Sequence, residues 1–306
     1  MIFKHILVPL DGSRFAEAAL PYAILLAKSA PARLHLVLAH EPALAVVGMG
    51  EALPPPDLGE EARAREKQYL AETAGELILA GNPVEFRAPE GPAGPAICEE
   101  AGRISADLVV MSTHGRGAIG RLWLGGVADH AVRHLSSPIL LVHGSRKGEA
   151  PPTPALHSIL VPLDLSQDAQ AILQPVCALA CLSQGHVTLL HVVEPLFQME
   201  TPSLPYPLPL DPAFLEKSRE QAQKQLDQVA DRLRERGVSV STRISTGATA
   251  ATGLLEALEE ARFDLIAMTT HGAGGLRRLL LGSVADKVIR GATKPVLVVR
   301  PESAVH

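Results

Sequence analysis

Short apolar runs alternate with longer amphipathic or charged segments along the 306 residues, and the alternation occurs twice. In the first half, His5 to Leu10 reads as a buried strand. Ser13 can cap the helix that follows, whose apolar residues Ala16, Ala19, Leu20, Ala23, Leu26 and Ala27 recur near a 3.6 period. Leu34 to Ala39 is a second strand, and after an apolar, Pro-rich loop over 42–57 a long charged helix runs from Leu58 to Ala80. Pro83 to Ala88 is a strand, Pro95 to Gly102 a short helix, Asp107 to Met111 a strand, Val127 to Leu135 a helix and Pro138 to Val142 the last strand. A polar stretch with Gly and Pro, Gly144 to Pro154, reads as a linker. The pattern then restarts with Ser158 to Asp164 and Val187 to Val192. A loop over 195–212 and a charged helix from Ala213 to Arg236 follow, then the strand Val238 to Ile244. Thr246-Gly247 leads into a helix, Asp264 to Met268 is a strand, Val284 to Arg290 a helix, and Val296 to Val299 closes the chain.

Alternating strands and helices predict an α/β fold with doubly wound parallel sheets. Five strands in each half, in the order 3-2-1-4-5, suit the smaller doubly wound type, whose ligands sit outside the carboxyl ends of the strands where the order reverses. The expected domains are residues 1–145 and 155–301. The apolar final strands, Ile139–Val142 and Val296–Val299, fall at a sheet edge in this order, and exposed apolar edges pair. They are expected to pair across an internal pseudo-two-fold, making the chain an internal pseudo-dimer; further homodimerisation stays open.

Chemistry concentrates where the fourth strand of each half ends. Met268-Thr-Thr-His-Gly272 is followed after nine residues by Gly282-Ser-Val-Ala-Asp286, and Met111-Ser-Thr-His-Gly115 after the same interval by Gly125-Gly-Val-Ala-Asp129. The two copies are 157 positions apart, so the chain is a duplication. Strand, glycine loop and helix N-terminus together make an anion site, because glycine lets backbone N–H groups approach and the helix end carries partial positive charge. Ser283 suits the helix N-cap, with Gly126 in that place in the first half. Asp11 and Asp164, after Pro9 and Pro162, end the first strand of each half beside that loop. They suit ligand binding at the switch point and also suit a strand-end turn.

Net charge of −5 and scattered Lys and Arg favour neither nucleic acid nor an acidic membrane. No apolar run reaches the length of a membrane span and no leader precedes the first strand, so a cytoplasmic protein is expected. Cys98, Cys177 and Cys181 make no disulfide framework. Cys177 and Cys181 would need two further ligands for a metal site, and read as small core side chains. Gly115-Arg-Gly-Ala-Ile-Gly120 matches a dinucleotide fingerprint but follows the fourth strand, and the second half lacks it, so it is read as coincidence. His114 and His271 read as loop-holding residues, and His130 and His134 as a solvated helix face. Arg116, Arg121, Arg277 and Arg278 are candidates for phosphate contact or for plain solvation. The two Pro-rich loops are lids or rigid covers.

Taken together, Thr-Thr-His-Gly, nine residues, Gly-Ser, with Val-Pro-Leu-Asp opening the first strand and Leu-His-Val in the second, resembles the universal stress protein family. The resemblance covers both halves, and its nucleotide pattern is Gly, two residues, Gly, nine residues, Gly, then Ser or Thr. It implies an ATP site in the second half (or ADP or AMP), with Mg²⁺ or Mn²⁺ accompanying the phosphates. Pro162, Asp164 and Val192 would lie on the adenine and ribose side, and Thr269, Gly272, Gly282, Ser283 and Val284 around the phosphates. Thr269 departs from the first glycine of the pattern. The first half departs further: Ser112 replaces that glycine, Gly126 the Ser or Thr, and Ala39 the adenine-side Val. Pro9, Asp11, Ala39, Ser112, Gly115, Gly125 and Gly126 would form a weaker site. The resemblance implies an ATP-binding stress-response protein that uses its nucleotide as a regulatory or stabilising ligand. Rivals are a slow ATPase or autophosphorylating enzyme, with Ser283, Thr269, Thr270 or an aspartate at the γ-phosphate, and a nucleotide-free interaction scaffold.

Overall fold

The computed structural model describes residues 3–41, 56–113, 124–144, 153–194, 196–197, 208–209, 212–247, 249–260, 263–270 and 281–301. The chain divides into two compact units at 154/155.

In the first unit the strands are β1 (His5–Pro9), β2 (Arg33–Val37), β3 (Val84–Arg87), β4 (Leu108–Ser112) and β5 (Ile139–Val142). They are parallel and lie in the order β3-β2-β1-β4-β5, the 3-2-1-4-5 arrangement read from the sequence. Four of the five residues of β1 and all of β4 are buried, as expected for central strands covered on both faces. The helix expected after Ser13 comes in two pieces, α1 (Arg14–Glu17) and α2 (Leu20–Ser29). Pro21 lies in the first turn of α2; it has no N–H to donate and its ring crowds the carbonyl four residues back, so the helix restarts there. Helix α3 (Pro56–Leu79) opens on a proline and buries Leu70, Ala74 and Leu77 along one stripe. Helices α4 (Ala93–Arg103) and α5 (Gly126–His134) complete the unit. Strand β2 stops two residues short of Ala39, and the pairing continues past it through Leu38 N–H to Arg87 O at 3.2 Å and a bridge between His40 and Glu90.

The second unit repeats this plan. Strands β6 (Ser158–Pro162) and β7 (His186–Val193) flank a 3-10 turn (Asp168–Ile172) and helix α6 (Leu173–Ser183). A two-residue antiparallel ladder, β8 (Leu196–Phe197) with β9 (Leu208–Pro209), lies within the Pro-rich segment. Helix α7 (Pro212–Arg234), β10 (Ser239–Thr246), α8 (Ala250–Glu260), β11 (Leu265–Thr269), α9 (Ser283–Gly291) and β12 (Val296–Val299) follow. The parallel order is β10-β7-β6-β11-β12. At the amino ends of the strands the two units share a tie that sequence patterning misses. The Asp107 carboxylate accepts from the N–H groups of Lys4 and His5 at 2.8 and 2.9 Å, and Asp264 accepts from those of His157 and Ser158 at 3.0 Å. Each aspartate fastens the start of its fourth strand to the start of the first.

The units differ in how polar their flanks are. In the first, His35 of β2 is 5% exposed, its Nε2 lies 3.0 Å from His5 Nδ1, and its Nδ1 lies 3.6 Å from Glu85 on β3. Arg33 also pairs with Glu85. Nearby, Glu100 of α4 is held by Arg103 at 2.6 Å and Arg87 at 3.3 Å. Burial lowers the His35 pKa from its ordinary 6.5, with Glu85 opposing, and the hydrogen bond from Arg103 lowers that of Glu100. A histidine held neutral contributes stability that is full above its ordinary value and is lost as pH falls through its lowered native value. Glu100 acts in the same sense, its contribution being lost only in more acid solution. Chemical denaturation at about pH 7.5 and about pH 5.5 is therefore expected to show a loss of stability in the wild type that a His35→Leu variant largely lacks; an equal loss in both would contradict this assignment.

Candidate functional site

Because the five strands β10-β7-β6-β11-β12 run parallel, the ends of β6, β7 and β11 lie on one rim of the second sheet, and α9 starts there. Asp164 follows β6. Its Oδ1 accepts from the Ser166 N–H at 3.0 Å and from the Ser166 hydroxyl at 2.6 Å, and the Ser166 hydroxyl accepts from the Ala169 N–H at 3.1 Å. In the first unit Asp11 Oδ1 accepts from the Ser13 N–H at 2.9 Å, and Ser13 caps α1 through Ala16 at 3.2 Å. Both aspartates thus form strand-end turns, which fixes the direction in which their carboxylates project. The turn residue between them differs. Gly12 has φ +75° without strain, whereas Leu165 is driven to φ +66°. A branched residue there costs about 1–2 kcal/mol, and such strain concentrates at functional turns.

Thr269 ends β11, and the buried Thr270 donates its N–H to the Val299 carbonyl at 2.9 Å. The Thr270 carbonyl in turn accepts from the Gly282 N–H at 2.9 Å. The first unit repeats this, with Ser112, Thr113 N–H to Val142 O at 2.9 Å, and Gly125 N–H to Thr113 O at 2.8 Å. Each glycine is thereby drawn into extended backbone (φ −59°, ψ 147° and 149°) and becomes the helix cap, so that Ser283 and Gly126 are already the first helical residues. The expected cap positions are corrected by one residue for this reason. Asp286 N–H makes the first helical bond, to Gly282 O at 2.8 Å, which leaves the amides of Ser283, Val284 and Ala285 without partners within the helix. Ser283 is exposed and Val284 half-buried at that end. Gly115, Gly272, His114, His271, Arg116, Arg121, Arg277 and Arg278 lie outside the described residues.

Val192 is positioned by packing. A Cβ on Gly253 of α8 would meet Val192 Cγ1 at 2.8 Å, so the valine rests against the bare backbone of the helix. Gly247 and Gly253 approach equally closely, a Cβ on Gly247 lying 2.7 Å from the Gly253 Cα. The start of α8 is held to the end of β7 by Glu194, whose Oε1 accepts from Ala250 N–H at 2.7 Å; Glu41 does the same for Ala93 of α4, also at 2.7 Å. Counting from these capped residues, Ala96 stands where Gly253 does, so a Val–Gly contact in one unit is matched by small side chains, Ala39 and Ala96, in the other.

The two rims differ in charge. The first carries Asp11, Glu17, Glu41, Glu66 and Glu90. Tyr69 donates to Glu17 at 3.0 Å, His40 pairs with Glu66 at 2.7 Å, and Arg63 pairs with Glu90. Burial and Glu17 together push the Tyr69 phenol well up. Matched by strand register, the second rim keeps Asp164 and Glu194 but has Gln170, Ala222 and Thr246 at the other three places. There Arg232 donates to Gln170 at 2.9 Å, Arg219 donates to Thr246 at 3.2 Å, and Ala222 is buried. His130, expected to be solvated, packs on Gly94 of α4 and stacks on His134 with ring centroids 4.0 Å apart. Among the described residues no group of three His, Cys, Asp or Glu is arranged to hold a metal ion.

The universal stress protein family matches residues 2–143 and again residues 156–300. The chain belongs to the universal stress protein family. A universal stress protein of Mycolicibacterium smegmatis is 32% identical over 206 residues, which is 64% of this chain and 63% of that protein, so the match spans less than two thirds of the relative. One from Thermus aquaticus is 34% identical over 142 residues, 46% of this chain and 99% of its own length. The crystal structure of a universal stress protein from Archaeoglobus fulgidus is 20% identical and superposes with a TM-score of 0.66, covering 97% of this chain and 96% of that one, which shows the shared fold. Among the described residues no helix is long and apolar enough to cross a membrane.

In this tandem universal stress protein, Gly253→Ala is expected to cost about 1–3 kcal/mol, because the added methyl overlaps Val192. Combined with Val192→Ala the loss should fall well short of the sum of the single effects. Denaturant unfolding of the single and double variants measures this; additive losses would mean the two residues are not in contact.

Proposed function

We propose that the second domain binds an adenine nucleotide, ATP in the family pattern, as a regulatory or stabilising ligand, and that the first domain binds it weakly or not at all. The observation that carries this reading is the amino end of α9. Gly282 is tied to Thr270, so the amides of Ser283, Val284 and Ala285 are presented on the rim that also carries Asp164. Phosphate oxygens suit those amides and the helix dipole. Asp164, held by its turn, suits the ribose hydroxyls, with Pro162 beside it, and Val192 offers its apolar surface toward the base. In the family pattern Thr269 and Gly272 are the positions that lead into the phosphate loop. A divalent cation, Mg²⁺ or Mn²⁺, would draw part of its oxygen shell from the phosphates, as such ions do.

The domain preference rests on charge and on Ser283. Pro9, Asp11, Ala39, Ser112, Gly115, Gly125 and Gly126 stand in the corresponding places of the first domain, but among the described residues Glu17, Glu66 and Glu90 of that rim are matched by the uncharged Gln170, Ala222 and Thr246 in the second. Like charge at that rim opposes a polyphosphate. Gly126 also lacks the hydroxyl that Ser283 offers, and Ala39 the methyls of Val192.

Calorimetric titration of the full chain with ATP and Mg²⁺ is expected to show one site per chain. Asp164→Ala should weaken it roughly 10- to 100-fold, the usual consequence of losing one hydrogen bond to a charged group, while Asp11→Ala should leave it unchanged. Two equal sites, or the same loss from both substitutions, would overturn the preference, and no heat of binding in the wild type would overturn the nucleotide reading itself. Release of ADP during the same titration would identify the slow hydrolase instead.

A further inference from the structure

The second domain carries a pair of thiols on the outward face of α6. Val176, Ala178, Leu179 and Ala180 of this helix are buried, while Cys177 is half-buried and Cys181 exposed. The expectation that both cysteines are small core residues therefore fails: the helix turns its leucine and valine inward and its thiols outward. The two lie four residues apart on one helix. The Cys181 thiol also faces the Arg236 carbonyl at 3.9 Å. In the first domain the corresponding positions of α2 are Ile24 and Lys28, so the pair belongs to the second domain only.

Spacing decides what such a pair can do. Side chains four apart on a helix have Cβ atoms about 5–6 Å apart, whereas a disulfide needs them near 3.8 Å. Closing the bond would require the helix to unwind. An inserted ion relaxes that requirement, since two metal–sulfur bonds of about 2.3 Å together span roughly 4.6 Å between sulfurs. Among the described residues no third His, Cys, Asp or Glu joins the pair. A tetrahedral zinc site, which wants four ligands, is thus disfavoured, while a soft ion content with two thiolates is suited.

We propose that Cys177 and Cys181 form a two-coordinate site for a soft, thiophilic cation, with monovalent copper as its representative. Each thiol gives up its proton to solvent as its sulfur joins the ion, so that no oxidant or reductant is consumed and binding strengthens as pH rises. The site stands on the outward face of α6, apart from the strand-end rim, and does not depend on nucleotide.

The test is an anaerobic titration of the reduced full-length protein with Cu(I) against a chromophoric Cu(I) chelator, repeated with Zn(II). One Cu(I) per chain is expected, held more tightly than Zn(II). Cys181→Ser, at an exposed position that leaves the circular dichroism unchanged, should weaken Cu(I) binding by roughly a hundredfold or more, the loss of the two-point attachment; Cys98→Ser should leave it intact. Equal Cu(I) affinity in Cys181→Ser and wild type would overturn the proposal. So would Zn(II) binding as tight as Cu(I), or ready formation of a Cys177–Cys181 disulfide with the helical signal retained.

Discussion

One hydrogen bond in each domain governs the geometry of the rest: the glycine amide before α5 or α9 given to the threonine carbonyl at the end of the preceding buried strand. It joins the start of a helix to the end of a strand that cannot move, because the strand is paired on both sides and covered on both faces. The glycine is then extended, the following residue is helical, and the first amides of the helix face the same rim as the aspartate that ends the first strand. Displacing that cap by one residue would rotate those amides by about 100°, the angle per residue of an α-helix, and carry them away from the rim.

Around this common frame the two domains have diverged in a consistent way. The second keeps the serine after the capping glycine, opens the end of β7 to a valine by removing the side chain of Gly253, and has few carboxylates at the strand ends. The first fills its rim with acids and then binds them itself, through Tyr69, His40 and Arg63. Those ties hold α3 through acids at the strand ends, where α7 is held through uncharged partners, Arg219 to Thr246, Arg232 to Gln170 and Gln223 to Thr242 among them. In the first copy of the duplicated fold, acids at the strand ends are thus bound by the domain's own side chains.

The strained Leu165 belongs with this division. In the first domain glycine makes the same turn without cost. The second accepts a left-handed leucine there, and the compensation is a doubly bonded Asp164 carboxylate whose direction is set by Ser166. The strain at Leu165 thus accompanies an acid whose direction is fixed in advance.

The strand order, the duplication and the positions of Asp11, Asp164, Gly125 and Gly282 were legible in the sequence, because they rest on local periodicity and on glycine and turn chemistry that act over a few residues. So was the family. What the sequence left out is long-range. The caps of α4 and α8 come from Glu41 and Glu194, more than fifty residues away. The shift of the cap from Ser283 to Gly282, the packing of Val192 on Gly253 and the outward thiols of α6 were all decided by contacts between elements. Local patterning states which residues suit a strand, a turn or a helix start. Only when the strands are laid side by side does it emerge which carbonyl takes which amide, which acid meets which base, and which face of a helix the core has no room for.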